Sequence, residues 1–371
     1  MLNFLFGNKK EKITETEKNT RYLSLLVANI IRENADAIVI QLRQPEKKIA
    51  YQAGQFLTLI VTINGENLRR SYSVCSSPFT DETIDVMVKR IPNGKVSNFL
   101  NNTLTAGQNL EIMEPMGNFT AIPDAKHQRH IVLLAAGSGI TPLMSIAKTI
   151  LNQEPNSQVS LLYGNRNENS IIFKQSIADL QQQHLGRFEV EHILSQPDTT
   201  WRGHSGRLNR HQTIEILEKI SPDVDTEYFM CGPVGMMDEM SEALKIMGIA
   251  QEKIHKESFV TAETASAHGM VIEDPKKVAL ETRQVTVIYE GTEYKIEVSP
   301  KKTILEAALL LNIDLPYSCQ SGLCTACRGK CLSGKVKLDE EDGLSPAEKQ
   351  QGYVLTCVGH PLTDDVVIEI G

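Results

Sequence analysis

Near its C-terminus the chain reads PYSCQSGLCTACRGKC, from Pro316 to Cys331, and Cys357 stands alone downstream. The spacing Cys319-x4-Cys324-x2-Cys327 gathers three thiols on one tight loop and leaves a fourth on a separate segment. The chain has seven cysteines, an odd number, and no export signal, so a disulfide framework is a poor explanation. Structural zinc usually takes two closely spaced pairs, and here the fourth cysteine has no near partner. Three thiolates wrapping a cluster that a distant fourth closes is the arrangement a [2Fe–2S] centre needs. Ser321 and Gly322 let the backbone come close enough for N–H groups to reach the bridging sulfides and stabilise their charge. Cys331, four residues past Cys327, is read as a packing residue. A zinc-stabilised scaffold without redox activity stays open as the reading from a different class.

At 371 residues the chain is too long for one ordinary core, so two or three domains are expected. A net charge of −8, with no block of Lys and Arg, argues against a nucleic-acid partner. No stretch approaches the roughly 20 apolar residues of a membrane span. The start, MLNFLFGNKKEKITETEK, has its apolar residues before its positive ones, the reverse of an export signal. It is read as a cytoplasmic tail, with a weak surface anchor through Leu2, Phe4, Leu5 and Phe6 as the alternative.

Three regions follow the tail (1–19). Residues 20–125 carry β-rich runs such as GQFLTLIVTI and RRSYSVCSS between turn residues, with one short helix, VSNFLNNTL; the spacing suits an antiparallel β-barrel. Residues 126–260 alternate apolar strands with helices, which predicts an α/β domain on a parallel sheet covered on both faces. Residues 261–283 read as a linker. Residues 284–371 open with a hairpin joined at Glu290-Gly291, then a helix, the cysteine loop and a final strand.

Arg70-Ser71-Tyr72-Ser73 resembles the R-x-Y-S motif of the ferredoxin–NADP reductase superfamily. Arg70 offers forked donors to a pyrophosphate, Tyr72 a face for a flavin ring, and Ser73 a hydroxyl for the ring edge. Alone, such a stretch is equally an exposed polar strand. The context extends it. Val88 and Lys89 in VMVKR precede Gly94-Lys95-Val96-Ser97, which opens the short helix, and free N–H groups at a helix start favour an anion. Pro115-Met116-Gly117-Asn118-Phe119 is similar to the family's turn at the barrel end. Gly137-Ser138-Gly139-Ile140-Thr141-Pro142 follows the strand IVLLAA, where Gly-x-Gly lets backbone approach a phosphate and Pro142 suits a first helical turn. The third glycine of the usual dinucleotide fingerprint is missing, as in this superfamily's own version.

Residues 284–371 resemble a plant-type ferredoxin domain, so the whole is similar to a ferredoxin–NADP reductase fused to a C-terminal [2Fe–2S] ferredoxin. The order most resembles the reductases of phenylacetyl-CoA epoxidase and related oxygenase and desaturase systems. That resemblance implies a barrel binding FAD, a nucleotide domain binding NAD(P)H, and a β-grasp ferredoxin domain. It implies that Thr141 sits near the reacting rings. It also puts Asn165 and Arg166 at the cofactor's ribose, and Cys231-Gly232-Pro233 at the nicotinamide. Glu257 and Phe259 fall on the segment returning to the flavin. Tyr72, Ser73, Thr141, Cys231 and Glu257 are thus expected around the reacting rings. Arg166 opposite a 2′-phosphate favours NADPH; as a solvated charge it would say nothing, and Cys231 is equally a buried strand residue. Cys319, Cys324, Cys327 and Cys357 are the implied iron ligands. Electrons arriving in pairs would leave singly to an acceptor protein, a diiron oxygenase of the epoxidase type first, with a fatty-acid desaturase or a hybrid-cluster protein as alternatives. The last region carries 13 acidic and 8 basic residues, DEED (339–342) being the densest run, which would steer a basic acceptor or simply solvate a loop.

Overall fold

The computed structural model describes residues 22–220, 225–259, 280–341 and 343–370. The tail and most of the expected linker lie outside these residues. No described helix is long and apolar enough to cross a membrane.

The first region is an antiparallel sheet of β1 (Tyr22–Asn34), β2 (Ala37–Arg43), β3 (Phe56–Ile63), β4 (Glu66–Ser73), β5 (Thr83–Lys89) and β6 (Asn109–Met116). Its order is β4-β3-β6-β1-β2-β5. A bridge between Val74 and Val86 joins the two ends, closing the sheet into a barrel. Inward residues such as Val27, Ile40, Leu57, Leu59, Val86 and Ile112 fill it. Helix α1 (Lys95–Thr103) plugs one end through buried Val96 and Leu100.

The second region is a parallel sheet in the order β10-β9-β8-β7-β11-β12. It is built from β7 (His130–Ala136), β8 (Gln158–Asn165), β9 (Phe188–Leu194), β10 (His204–Ser205), β11 (Thr226–Gly232) and β12 (Ile254–Ser258). β7 and β8 are buried almost throughout because both faces are covered. Helices α2 (Ile140–Gln153) and α3 (Lys174–Gln183) pack one face, and α4 (Arg210–Ile220) and α5 (Val234–Ile246) the other. Helix α2 also seats this domain on the barrel. Buried Ser145 donates to the Ser76 carbonyl at 2.6 Å, and buried Thr149 bonds Ser77 at 2.9 Å.

The third region has the mixed order β14-β13-β19-β15-β17, with β13 (Arg283–Tyr289) parallel to β19 (Val366–Ile370) and a helix, Ile304–Leu310, packed across it. β14 spans Thr292–Val298, β15 Arg328–Ser333 and β17 Tyr353–Leu355, while β16 (Val336–Leu338) and β18 (Gly359–Pro361) pair in a separate two-stranded ladder. Glu290 and Gly291 both adopt positive φ, 51° and 74°, so the expected hairpin turn is of the type that matches strand twist. Capping boxes at Thr303 and Ser345 start the two helices of this region.

One buried network fixes β12. The Glu154 carboxylate takes two hydrogen bonds from Arg129, and Arg129 also reaches Glu227 at 2.7 Å. Glu227 accepts from His255 at 3.1 Å, two residues before Glu257. The His255 bond, and then Arg129, hold the Glu227 carboxyl down at about 2. Glu154 has no exposed side-chain surface, so losing it takes two charge-assisted hydrogen bonds from a nearly buried guanidinium and leaves it Glu227 alone as counter-charge. Glu154→Ala should therefore cost about 3–5 kcal/mol, read from the midpoint of the urea transition; a loss under about 1 kcal/mol, the worth of a surface pair, would contradict this.

Candidate functional site

Strand β4 is an edge strand, paired in the sheet with β3 alone. Successive residues point to opposite faces. Arg70 and Tyr72 share one face, and Tyr72 is half-buried against the barrel core. Burial pushes the Tyr72 phenol up, opposed by the nearby Arg70 charge. Arg70 itself is exposed, and the hydrogen bond described for it goes to its neighbour's carbonyl, Arg69 O, at 2.7 Å. A cation so placed fits an anionic cofactor group. Helix α1 starts at Gly94 with no side-chain cap. Ser97 accepts from the Ile91 N–H at 3.1 Å, which shapes the turn into the helix. Lys95 is exposed and 3.7 Å from Glu66. Val88 and Val96 turn their side chains into the core, which leaves their backbone as the part that can meet a ligand.

The other face of β4 carries Arg69, Ser71 and Ser73. Ser73 donates to Glu257 at 3.5 Å. Glu257 lies beside Cys231 in the parallel register of β11 and β12. Burial pushes the Glu257 carboxyl up to about 8, and pushes the fully buried Cys231 thiol up as well, with the Glu257 charge adding to the latter. The sequence-expected residues Ser73, Cys231 and Glu257, from two domains, thus meet. Phe259 is exposed just beyond β12, and Pro233 is exposed just beyond β11.

The Gly137–Gly139 turn ends β7 beside them. A Cβ on Gly139 would stand 2.0 Å from the Cys231 carbonyl, so only glycine permits this approach. Thr141 donates to the Ser138 carbonyl at 2.7 Å, and Tyr163 donates to Gly137 O at 2.9 Å, fixing the turn. Thr141 and Pro142 are buried in the first turn of α2. Ser138 is partly exposed beside them, and Gly232 is buried against Met236. Lys89 Nζ lies 3.7 Å from where a Gly137 Cβ would be. Desolvation and then the Arg166 charge hold the Lys89 ammonium below its usual range. Two cations close enough to repel one another suit a phosphate.

In the third domain the Cys324 and Cys357 thiols beside Cys319 hold its thiol below the usual range. Cys357 is raised by its contacts with Cys319 and Cys327. Cys319 thus neighbours Cys324 and Cys357, and Cys357 also neighbours Cys327. Gln320 and Gly322 take positive φ, and the Ser321 N–H points to Cys319 Sγ at 3.5 Å. The Ser321 hydroxyl also leans on the Cys319 sulfur, and the Thr325 hydroxyl is buried without a partner inside the loop. The bridging sulfides and thiolates of a [2Fe–2S] cluster are acceptors of the kind the Thr325 hydroxyl lacks, so the residues present fit such a cluster. Cys331 is on β15, and its thiol donates to Ser333 O at 3.1 Å, apart from the other four.

The cysteine loop packs on β4. Ser71 bonds Ser318, the neighbour of Cys319, at 2.6 Å. Arg69 bonds Asp314 at 2.9 Å and lies 4.5 Å over the Tyr317 ring. Asn118 bonds Glu348 on the helix Pro346–Gln350. Sequence patterns do not single out these seam residues, apart from Ser71 and Asn118 in other roles. Their partners lie more than two hundred positions away, and no local pattern links them.

Comparison with known proteins agrees with this architecture. Residues 23–121 match the family described as oxidoreductase FAD-binding domain, residues 133–242 the oxidoreductase NAD-binding domain, and residues 287–362 the 2Fe-2S iron-sulfur cluster binding domain. A component of 1,2-phenylacetyl-CoA epoxidase from Escherichia coli (strain K12) is 37% identical, covering 94% of this chain and 98% of that protein. The ferredoxin reductase component of 3-ketosteroid-9-alpha-monooxygenase from Rhodococcus rhodochrous is 35% identical, covering 96% and 99%. Phthalate dioxygenase reductase, a modular structure for electron transfer from pyridine nucleotides to [2Fe–2S], shares the fold at a TM-score of 0.57 and 24% identity, over 94% of this chain and 98% of that one.

The raised Glu257 pKa has a measurable sign. Between about 4.5, the ordinary value, and about 8 the folded protein holds a proton the unfolded chain has released, so stability falls as pH rises through that window. Glu257→Gln should flatten this part of the stability–pH curve, measured by urea unfolding at a series of pH values. An unchanged slope would mean Glu257 is ionised at neutral pH.

Proposed function

The chain belongs to the family of reductases that join FAD-binding, NAD-binding and 2Fe-2S domains and serve oxygenase systems, and from that premise we propose the residue roles, donor and acceptor that follow. It is an NAD(P)H-dependent oxidoreductase that passes electrons through FAD and a [2Fe–2S] cluster. When bound, these cofactors supply the electron chemistry, converting paired electrons to single ones, and the protein supplies position, protons and a docking face.

Arg70 and the uncapped start of α1 hold the FAD pyrophosphate, and Tyr72 lies along the flavin ring. Ser73 and protonated Glu257 keep a hydroxyl and a carboxyl proton together at the ring edge at neutral pH. Cys231 and the Gly137–Gly139 turn leave a tight, water-poor slot for the nicotinamide, with Thr141 fixing the turn. Cys319, Cys324, Cys327 and Cys357 hold the cluster. The observation that carries this assignment is that Ser71 and Ser73, about 7 Å apart along one strand, touch the cysteine loop and Glu257 respectively.

The donor is NADPH, because Lys89 and Arg166 present two positive charges where an adenine-ribose phosphate is needed. The acceptor is the oxygenase component of a phenylacetyl-CoA epoxidase-type system, supported by the near full-length similarity to a component of that enzyme. Steady-state reduction of ferricyanide with NADPH and NADH in parallel tests the donor. Arg166→Leu should lower kcat/KM for NADPH by roughly 10–100-fold, the worth of one or two charge-assisted hydrogen bonds, while NADH changes less than about threefold. Equal losses with both donors would refute the assignment.

A further inference from the structure

The seam between the barrel and the ferredoxin domain is gripped at separated points. At one, the Arg69 guanidinium donates to Asp314 Oδ1 at 2.9 Å and to the Tyr22 hydroxyl at 3.0 Å, and Tyr22 donates to Asp314 Oδ2 at 2.6 Å. The guanidinium also stacks on Tyr317, three residues from Asp314. Two residues along β4, Ser71 bonds Ser318, and Ser318 adjoins Cys319. At another point Asn118 bonds Glu348, whose carboxylate also takes Arg328 and its own helix cap.

The exposure of the Arg69–Asp314 pair is asymmetric. The Arg69 side chain is 11% exposed and that of Asp314 is 53% exposed. The guanidinium is thus largely desolvated, and its Nη1 is buried with no partner of its own. Asp314 supplies its neutralising charge from the solvent side. Removing that charge leaves a desolvated cation facing the ferredoxin domain, which favours separating the two surfaces and letting water in.

We infer that Asp314 is a positioning residue whose ion pair with Arg69 latches the ferredoxin domain to β4 and so sets the approach of the cysteine loop to the flavin. Arg69 and Arg70 thereby divide the labour of one strand, Arg70 facing the cofactor's phosphates and Arg69 facing the other domain. The inference rests on the cofactor roles proposed above. Because the latch is partly open to solvent, it is also sensitive to salt. The step that follows from docking should slow at high ionic strength, and reduction of the flavin should respond less.

The test uses the full-length protein loaded with FAD and cluster, and the variants Asp314→Glu, Asp314→Asn and Asp314→Lys. Asp314 is exposed on a loop, so all three should fold. Anaerobic stopped-flow mixing with NADPH separates flavin bleaching from loss of iron–sulfur absorbance. Hydrogen exchange of segments 66–71 and 313–318 reads docking directly. The expected result is unchanged flavin bleaching, with cluster reduction slowed about tenfold in Asp314→Asn, more in Asp314→Lys, and near wild type in Asp314→Glu. Exchange in both segments should rise in the same order. Slower cluster reduction without faster exchange, faster exchange without slower cluster reduction, or a Lys variant within twofold of wild type would each overturn the latch. If the wild-type flavin bleaches with neither NADPH nor NADH, or bleaches with no cluster reduction, the parent assignment fails and takes the latch with it.

Discussion

The organising constraint is that a β-strand has two faces and that β4 uses both. Its first face carries Arg70 and Tyr72; its second carries Arg69, Ser71 and Ser73, which meet the ferredoxin domain and Glu257 in turn. Alternation alone places contacts from the second and third domains within a few residues of one another. Closing the barrel through Val74 and Val86 makes this strand rigid at the point where Ser73 must meet Glu257. The rest of the molecule can be described as what holds the other two domains against that strand.

For the nucleotide domain the holding is done by helix α2 and by a buried charge network. Ser145 and Thr149 tie α2 to the barrel, so the glycine turn at its start cannot drift from β4. Arg129, Glu154, Glu227 and His255 bind β12 to the strands beside it, which fixes the backbone that carries Glu257. Burial favours the protonated form of Glu257 beside the buried Cys231 thiol, and this network holds the strand that carries it. For the ferredoxin domain the contacts are fewer, more polar and more open to water. That difference suits a domain that must meet both the barrel and another protein.

Much of this is legible in the sequence because it is local. The cysteine spacing, the Glu290-Gly291 turn, the apolar strands of the parallel sheet and the glycine turn at 137–139 each state a backbone requirement within a few residues. The three-domain order follows from where the hydrophobic period changes. Other features are not legible because they are made by distant residues. The motif singles out Arg70 but assigns nothing to Arg69, which is the one paired with Asp314, while Arg70 keeps its charge free of any described ion pair. Ser71 is expected at the cofactor by motif alone, and its hydroxyl is bonded to Ser318. Lys89 and Arg166 come from different domains, and only the folded chain brings their charges together.

The central claim is that a single chain carries electrons from nucleotide to cluster across β4, within one molecule. The most direct measurement mixes the cofactor-loaded protein anaerobically with one equivalent of NADPH over a wide range of protein concentration and follows cluster reduction by absorbance and electron-spin resonance. The account predicts a rate, after flavin bleaching, that does not depend on protein concentration. A rate that rises in proportion to concentration would mean that clusters are reduced by neighbouring molecules, and would contradict it.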